Sequence, residues 1–208
     1  MAARSDNFNR ADASGLGNPS DGGSAWNAVT GTWDISSNQA ISVAIASNLQ
    51  SLEASVADCD IQLVCANNPL NSGVGARISS AGNASLVVYG TDSGVSGGMG
   101  IYRLQAGGYT LLTSDSAGDV VSSDTVKLNV NGTGITAYVN GASRLSTTST
   151  FNQTTTTHGL WSYTDSGSRI DDFSIADLGG ATGHPAVKRM GGVQFAHRLG
   201  GPAHSLVW

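Results

Sequence analysis

The sequence predicts an all-β protein of two stacked antiparallel sheets, and three observations carry that expectation. First, short alternating segments follow one another through 99–178 without a helical break: Met99–Leu104, Tyr109–Thr113, Val126–Val130, Ile135–Val139 and Arg169–Ile175. Second, Asn131-Gly132 and Asn140-Gly141 lie between such segments, and Asn-Gly is the pair that tolerates positive φ at both centres of a type I′ hairpin turn. Third, helix-favouring residues are scarce. Glu53 is the sole glutamate, Lys127 and Lys188 are the sole lysines, and there are 28 glycines.

Element by element, Asp6–Asp12 reads as a short strand running into a Gly, Asn, Pro and Ser loop over 15–24. Gly31–Ile35 opens a hairpin that turns at Ser36–Asn38. Leu49–Ala57 and Cys59–Ala66 alternate as long strands with a bend at Ala57-Asp58, and Gly73–Ser79 pairs with Ala84–Thr91 around Ala81–Asn83. A glycine-rich loop at Ser93–Gly98 leads into the hairpins that run to Asp177. About a dozen strands favour two stacked sheets over a small barrel. In the 208 residues, one sandwich over 1–178 is followed by an extended, Gly-rich arm over 179–208. The arm's apolar side chains are too isolated to form a core of their own.

Charge divides the chain at the same place. Residues 1–178 hold all 15 acidic and 7 of the 10 basic side chains, a net of −8, whereas 179–208 hold Lys188, Arg189 and Arg198 and no acid. A body of that sign repels phosphate, which argues against nucleic acid as a partner. No stretch approaches the roughly 20 apolar residues a membrane helix needs. Met1–Asp6 has no apolar run of the signal-peptide kind. Cys59 and Cys65 share one extended stretch, and about 3.3 Å per residue sets them some 20 Å apart, beyond disulfide reach. Two buried free thiols suit a reducing cytosol.

The order of motifs resembles a family. Asp6-Asn-Phe-Asn-Arg-Ala-Asp12, Gly31-Thr-Trp-Asp-Ile35 and Asn38-Gln-Ala resemble the opening of concanavalin A-like lectin/glucanase (LamG-like) domains. Tyr102-Arg-Leu, Leu111–Ser114, Leu128–Gly132, Ile135–Gly141, Gly159–Ser162 and Asp171–Ile175 are similar to the closing strands of the same module. The resemblance implies a two-sheet jelly-roll sandwich over about 6–178. The stretch His184-Pro-Ala-Val-Lys-Arg-Met-Gly-Gly-Val-Gln-Phe195 resembles the C-termini of bacteriophage virion proteins. Together these imply a non-enzymatic virion component, a capsid decoration or a tail or fibre part. It would be made in the host cytoplasm and would be homo-oligomeric. On this reading Lys188, Arg189, Val193, Phe195, Leu206 and Trp208 attach the arm to a capsid or tail neighbour, since buried aromatics and Arg dominate interface energy. A stand-alone carbohydrate-binding module is the alternative.

Glucanases on such folds need two carboxylates flanking the scissile bond. Glu53 stands alone between serines at 51 and 55, while Asp58 and Asp60 share a face beside a bend and read as solvated strand-end acids. Asp171 and Asp172 alternate to opposite faces and bracket a core Phe173. His158 reads as a strand-edge histidine with no nucleophile elbow near it. His184, His197 and His204 have spacings of 13 and 7, which match no zinc pattern. Calcium would need Asn67, Asn68, Asp92, Asp115, Asp119 and Asp124 to converge from separate loops. A glycan partner would need an aromatic platform from Trp26, Trp33, Tyr89, Tyr102, Tyr109, Trp161 or Tyr163. Trp33 and Trp161 alternate as core residues. Tyr109, beside Gly107-Gly108, is the ring expected at the surface.

Overall fold

The computed structural model describes residues 2–43, 47–67, 71–90, 98–116, 118–163 and 167–179. Residues 1–178 form one unit. It is built from fifteen strands among the described residues, with no helix.

One sheet has eight strands in the order β13 (Ala142–Thr148), β12 (Gly134–Val139), β11 (Thr125–Asn131), β6 (Cys59–Cys65), β15 (Arg169–Asp177), β4 (Gln39–Ser42) and β3 (Trp33–Ser36), with β1 (Ala2–Asp6) also paired to β15. The other has seven, in the order β10 (Gly108–Asp115), β9 (Gly98–Gln105), β8 (Asn83–Gly90), β7 (Ser72–Ser80), β14 (Thr157–Ser162), β5 (Asn48–Glu53) and β2 (Asn27–Thr30). All pairings are antiparallel, as in β11 with β6 and β14 with β5. The expected two-sheet jelly-roll sandwich is the observed fold.

Alternation explains the core. β6 buries Cys59, Ile61, Leu63 and Cys65 and half-exposes the residues between them. β11 and β12 do the same with Val126, Leu128 and Val130, and with Ile135, Ala137 and Val139. These side chains meet Leu52, Val74, Met99, Ile101 and Leu160 from the seven-stranded sheet in one apolar cluster. In β15, Ile170 and Phe173 both face inward although they are three apart, because a bulge at Asp171–Ser174 inserts a residue. Asp172 sits in that bulge at φ 45°, so the two aspartates do not simply alternate.

Several local expectations are corrected. Asp6–Asp12 is not a strand: β1 ends at Asp6, whose buried carboxylate folds the following loop around itself. It accepts hydrogen bonds from Phe8 N–H (2.9 Å), both Arg10 terminal nitrogens (2.7 and 3.0 Å) and Trp26 Nε1–H (2.8 Å). Leu49–Ala57 is not strand throughout: β5 ends at Glu53, and β6 begins at Cys59 in the other sheet. Asn140 and Gly141 take the I′ turn (φ 50° and 81°). At the other Asn-Gly pair, Asn131 is the last ladder residue opposite Gly134 and only Gly132 has positive φ (53°), the II′ pattern.

Candidate functional site

The outer face of the seven-stranded sheet, turned away from the sandwich core, carries a second apolar cluster. Leu49, Ile78, Ala84, Leu86, Leu104 and Trp161 are buried there, with Val29 and Tyr102 packed against them. Tyr109 and Tyr163 stand over this floor, 41% and 42% exposed. The ring centroids of Tyr109 and Trp161 lie 5.9 Å apart, those of Tyr109 and Tyr163 5.7 Å. Trp161 and Tyr163 stack at 6.2 Å with only 10° between their planes.

That proximity requires a curled sheet. Three strands, β9, β8 and β7, separate β10 from β14, and the ladders carry Trp161 across to Ser114, five residues beyond Tyr109, so a flat sheet would set the two backbones about 25 Å apart. Leaning rings bridge only part of such a gap; the sheet must roll into a trough. Missing side chains on the same face make room for the roll. A Cβ on Gly100 would stand 2.7 Å from the Tyr102 ring, and one on Gly75 3.1 Å from both Leu49 and Ile78. Tyr109 Oη also lies 3.5 Å from Ser47 Oγ across the trough.

Beyond the rings the same face opens into a cleft of about 350 Å³ lined by Asn27, Val29, Ser51, Ile78, Ser79 and Thr157, among others. Ser51 is one outward-facing position along β5 from Leu49, which pairs with Trp161. The aromatic group and the cleft therefore share one strip, about 7 Å apart along the strand. Aromatic faces at one end, with hydroxyls and an amide at the other, suit a ligand that is apolar on its ring faces and polar at its edges. Trp161 Nε1–H is buried and has no hydrogen-bond partner among the described residues.

The structure places Tyr109 at the surface, as expected, and Trp33 in the core, 1% exposed. Trp161 is buried too, but in the trough floor and not between the sheets. Tyr163 is its stacking partner. Trp26 packs in the main core against Phe8 and Phe173.

The acidic candidates have structural partners. Glu53 accepts from Ser55 N–H and the Thr157 hydroxyl, and the Thr156 hydroxyl is the largest influence holding its carboxyl below the usual range. Asp58 receives Arg77 Nη2–H (3.2 Å) and Gly132 N–H (3.0 Å); Asp60 receives Lys127 Nζ–H (3.0 Å) and Asn129 Nδ2–H (2.6 Å). Burial raises the Asp171 carboxyl. Of the calcium candidates, Asp115 is clamped by Arg144 (2.6 and 2.8 Å), Asp124 accepts from Val121 N–H and Asn140 Nδ2–H, and Asn67 bonds to Gly167 and Arg169. No group of three or more potential metal ligands gathers among the described residues. Asn68, Asp92 and Tyr89's ring lie outside what is described.

His158 is not an edge residue. It is fully buried in β14, between β7 and β5. Nδ1 accepts Arg77 N–H (3.1 Å), so the ring proton sits on Nε2, which donates to Val56 O (2.9 Å). Cys59 Sγ lies 3.5 Å from the same Nε2. Burial is the main cause pulling His158 down to about 4, and it pushes both cysteine thiols up to about 12. This is a neutral pair and not a thiolate–imidazolium nucleophile. The proposed arm contacts, Lys188, Arg189, Val193, Phe195, Leu206 and Trp208, lie outside the described residues.

No family model matches the chain, and no curated protein matches it. Solved structures do. The carbohydrate-binding module CBM66 from Bacillus subtilis aligns at 14% identity and TM-score 0.55, covering 73% of this chain and 90% of that one. A protein of unknown function with a galectin-like fold, also from Bacillus subtilis, aligns at 12% identity and TM-score 0.54, covering 85% and 96%. These likenesses show the fold, a concanavalin A-like jelly-roll sandwich.

Proposed function

We propose that the sandwich is a non-catalytic carbohydrate-binding domain that holds a neutral sugar in the trough of the seven-stranded sheet. The observation that carries this reading is the pair of half-exposed rings, Tyr109 and Tyr163, set against the buried Trp161 indole. Tyr109 and Tyr163 offer ring faces to the C–H face of a sugar, and Asn27, Ser51 and Thr157 offer hydrogen bonds to its hydroxyls. A fold shared with a carbohydrate-binding module supports the reading without supplying the sugar. The test is a glycan array probed with the full-length chain and with Tyr109→Ala and Tyr163→Ala. Each exposed ring should be worth at least tenfold in affinity, about 1.4 kcal/mol, with circular dichroism unchanged. Equal binding by both variants would remove the trough from consideration.

A second reading adds to the first: the arm over 179–208 attaches the sandwich to a virion. What supports it is the contrast between a body of net −8 and an arm with three basic and no acidic residues. Recovery of full-length protein, but not of a 1–178 truncation, in purified particles is the expected result. Equal recovery of both would exclude an anchoring arm.

A further inference from the structure

A second cleft, of about 420 Å³, lies where the edges of the two sheets face each other. Arg103 of β9 and Leu112 of β10 line one side; Thr133, Thr148, Ser149 and Thr150, at the β11–β12 turn and the end of β13, line the other. Asp115 and Arg144 tie the same two edge strands together farther along.

Arg103 faces away from the trough, because Tyr102 and Leu104 on either side of it belong to the trough cluster. Its Nε–H is buried and has no partner among the described residues. Ser85, directly opposite Arg103 on β8, has a buried Oγ that also lacks a partner. Ser85 in turn pairs with Ala76, next to Arg77. Arg77 is 0% exposed, yet its Nε and Nη1 are unpaired, while its Nη2 donates to the carbonyl of Gly132, adjacent to Thr133 of the cleft. Of these three residues only Arg103 lines the cleft; Ser85 and Arg77 lie behind it, with their unpaired donors buried. Among the described residues Arg103 belongs to no ion pair, whereas Arg4, Arg10, Arg77 and Arg144 each have an aspartate.

We propose that this cleft is an oxyanion site, taking a carboxylate or sulfate group on Arg103 with the surrounding threonine and serine hydroxyls as further donors. A planar guanidinium matches the paired oxygens of such groups, and partial burial strengthens the contact. The body carries net negative charge, so attraction here is local to Arg103 and selective by geometry. The site lies on the opposite face of β9 from the trough and stands or falls independently of any sugar bound there.

The test titrates full-length, ¹⁵N-labelled protein with sodium acetate and with sodium sulfate, each against sodium chloride at constant ionic strength. At least one oxyanion should produce saturable shifts at Thr133 and Thr148–Thr150, with affinity at least tenfold weaker in Arg103→Gln. Saturation by acetate alone identifies a carboxylate ligand, and by sulfate alone a sulfate ester. If Arg103→Gln does not fold, Thr148→Val at the exposed rim decides, with a severalfold loss expected. No saturation beyond chloride, or unchanged affinity in the folded variants, would overturn the proposal and leave the donors to buried water.

Discussion

Asp6 shows how much one side chain can organise. The residue is 1% exposed, and its carboxylate satisfies donors from Phe8, Arg10 and Trp26, holding Phe8 at a positive φ of 51° that a bulky residue rarely adopts. Asp6→Ala leaves the Arg10 guanidinium and the Trp26 indole without their acceptor, so a loss of about 3–5 kcal/mol in urea unfolding is expected; a change below about 1 kcal/mol would contradict the role. The motif Asp6–Arg10 was visible in the sequence, but its purpose was not, because one of its donors comes from twenty residues away. His158 carries a pH signature at the same scale. Its folded value of about 4 lies below the ordinary 6.5, so the unfolded chain binds the proton first and stability falls as pH drops. His158 thus contributes nothing to pH dependence above about 6.5. Between there and about 4 it withdraws about 3 kcal/mol. Urea midpoints across that window should fall less steeply in His158→Gln than in the parent chain; parallel curves would show that the buried imidazole is not the titrating group.

At the scale of elements, turns were legible and sheet membership was not. Asn140-Gly141 announced its hairpin because the required φ values are a property of two residues. Ser37-Asn38 and Ala106-Gly107 adopt the same positive-φ pairing with weaker sequence marks. The separation of β5 from β6 into different sheets depends on long-range pairing with β14 and β11, which no local pattern encodes. Two glycines separate conformational from steric demand. A Cβ on Gly141 meets nothing within 4 Å, so Gly141→Ala costs only the left-handed backbone, about 1 kcal/mol. A Cβ on Gly159 would lie 1.9 Å from the Gln50 carbonyl oxygen, forcing β14 from β5, and Gly159→Ala should cost about 3 kcal/mol or more. Thermal unfolding of both variants checks the order, and a Gly141→Ala change as large as that of Gly159→Ala would refute the distinction.

Across the whole molecule, the candidate site is a product of curvature. Gly107-Gly108 marked Tyr109 as exposed, which holds, whereas alternation marked Trp161 as a core residue and it is buried instead in the trough floor. Their meeting could not be read from spacing, since it depends on a seven-stranded sheet rolling until β10 approaches β14. The same face buries Leu49, Leu86 and Leu104 in one cluster with Trp161, so the trough is a stable surface in the free protein and is preorganised for a ligand. The measurement that tests this most directly follows the tryptophan indole N–H signals by ¹⁵N–¹H spectroscopy while the best sugar from the glycan array is titrated in, with Trp161 assigned through Trp161→Phe. A saturable shift of the Trp161 indole, with that of core Trp33 unmoved, is the result the account predicts. Sugar binding that leaves the Trp161 signal in place would contradict it.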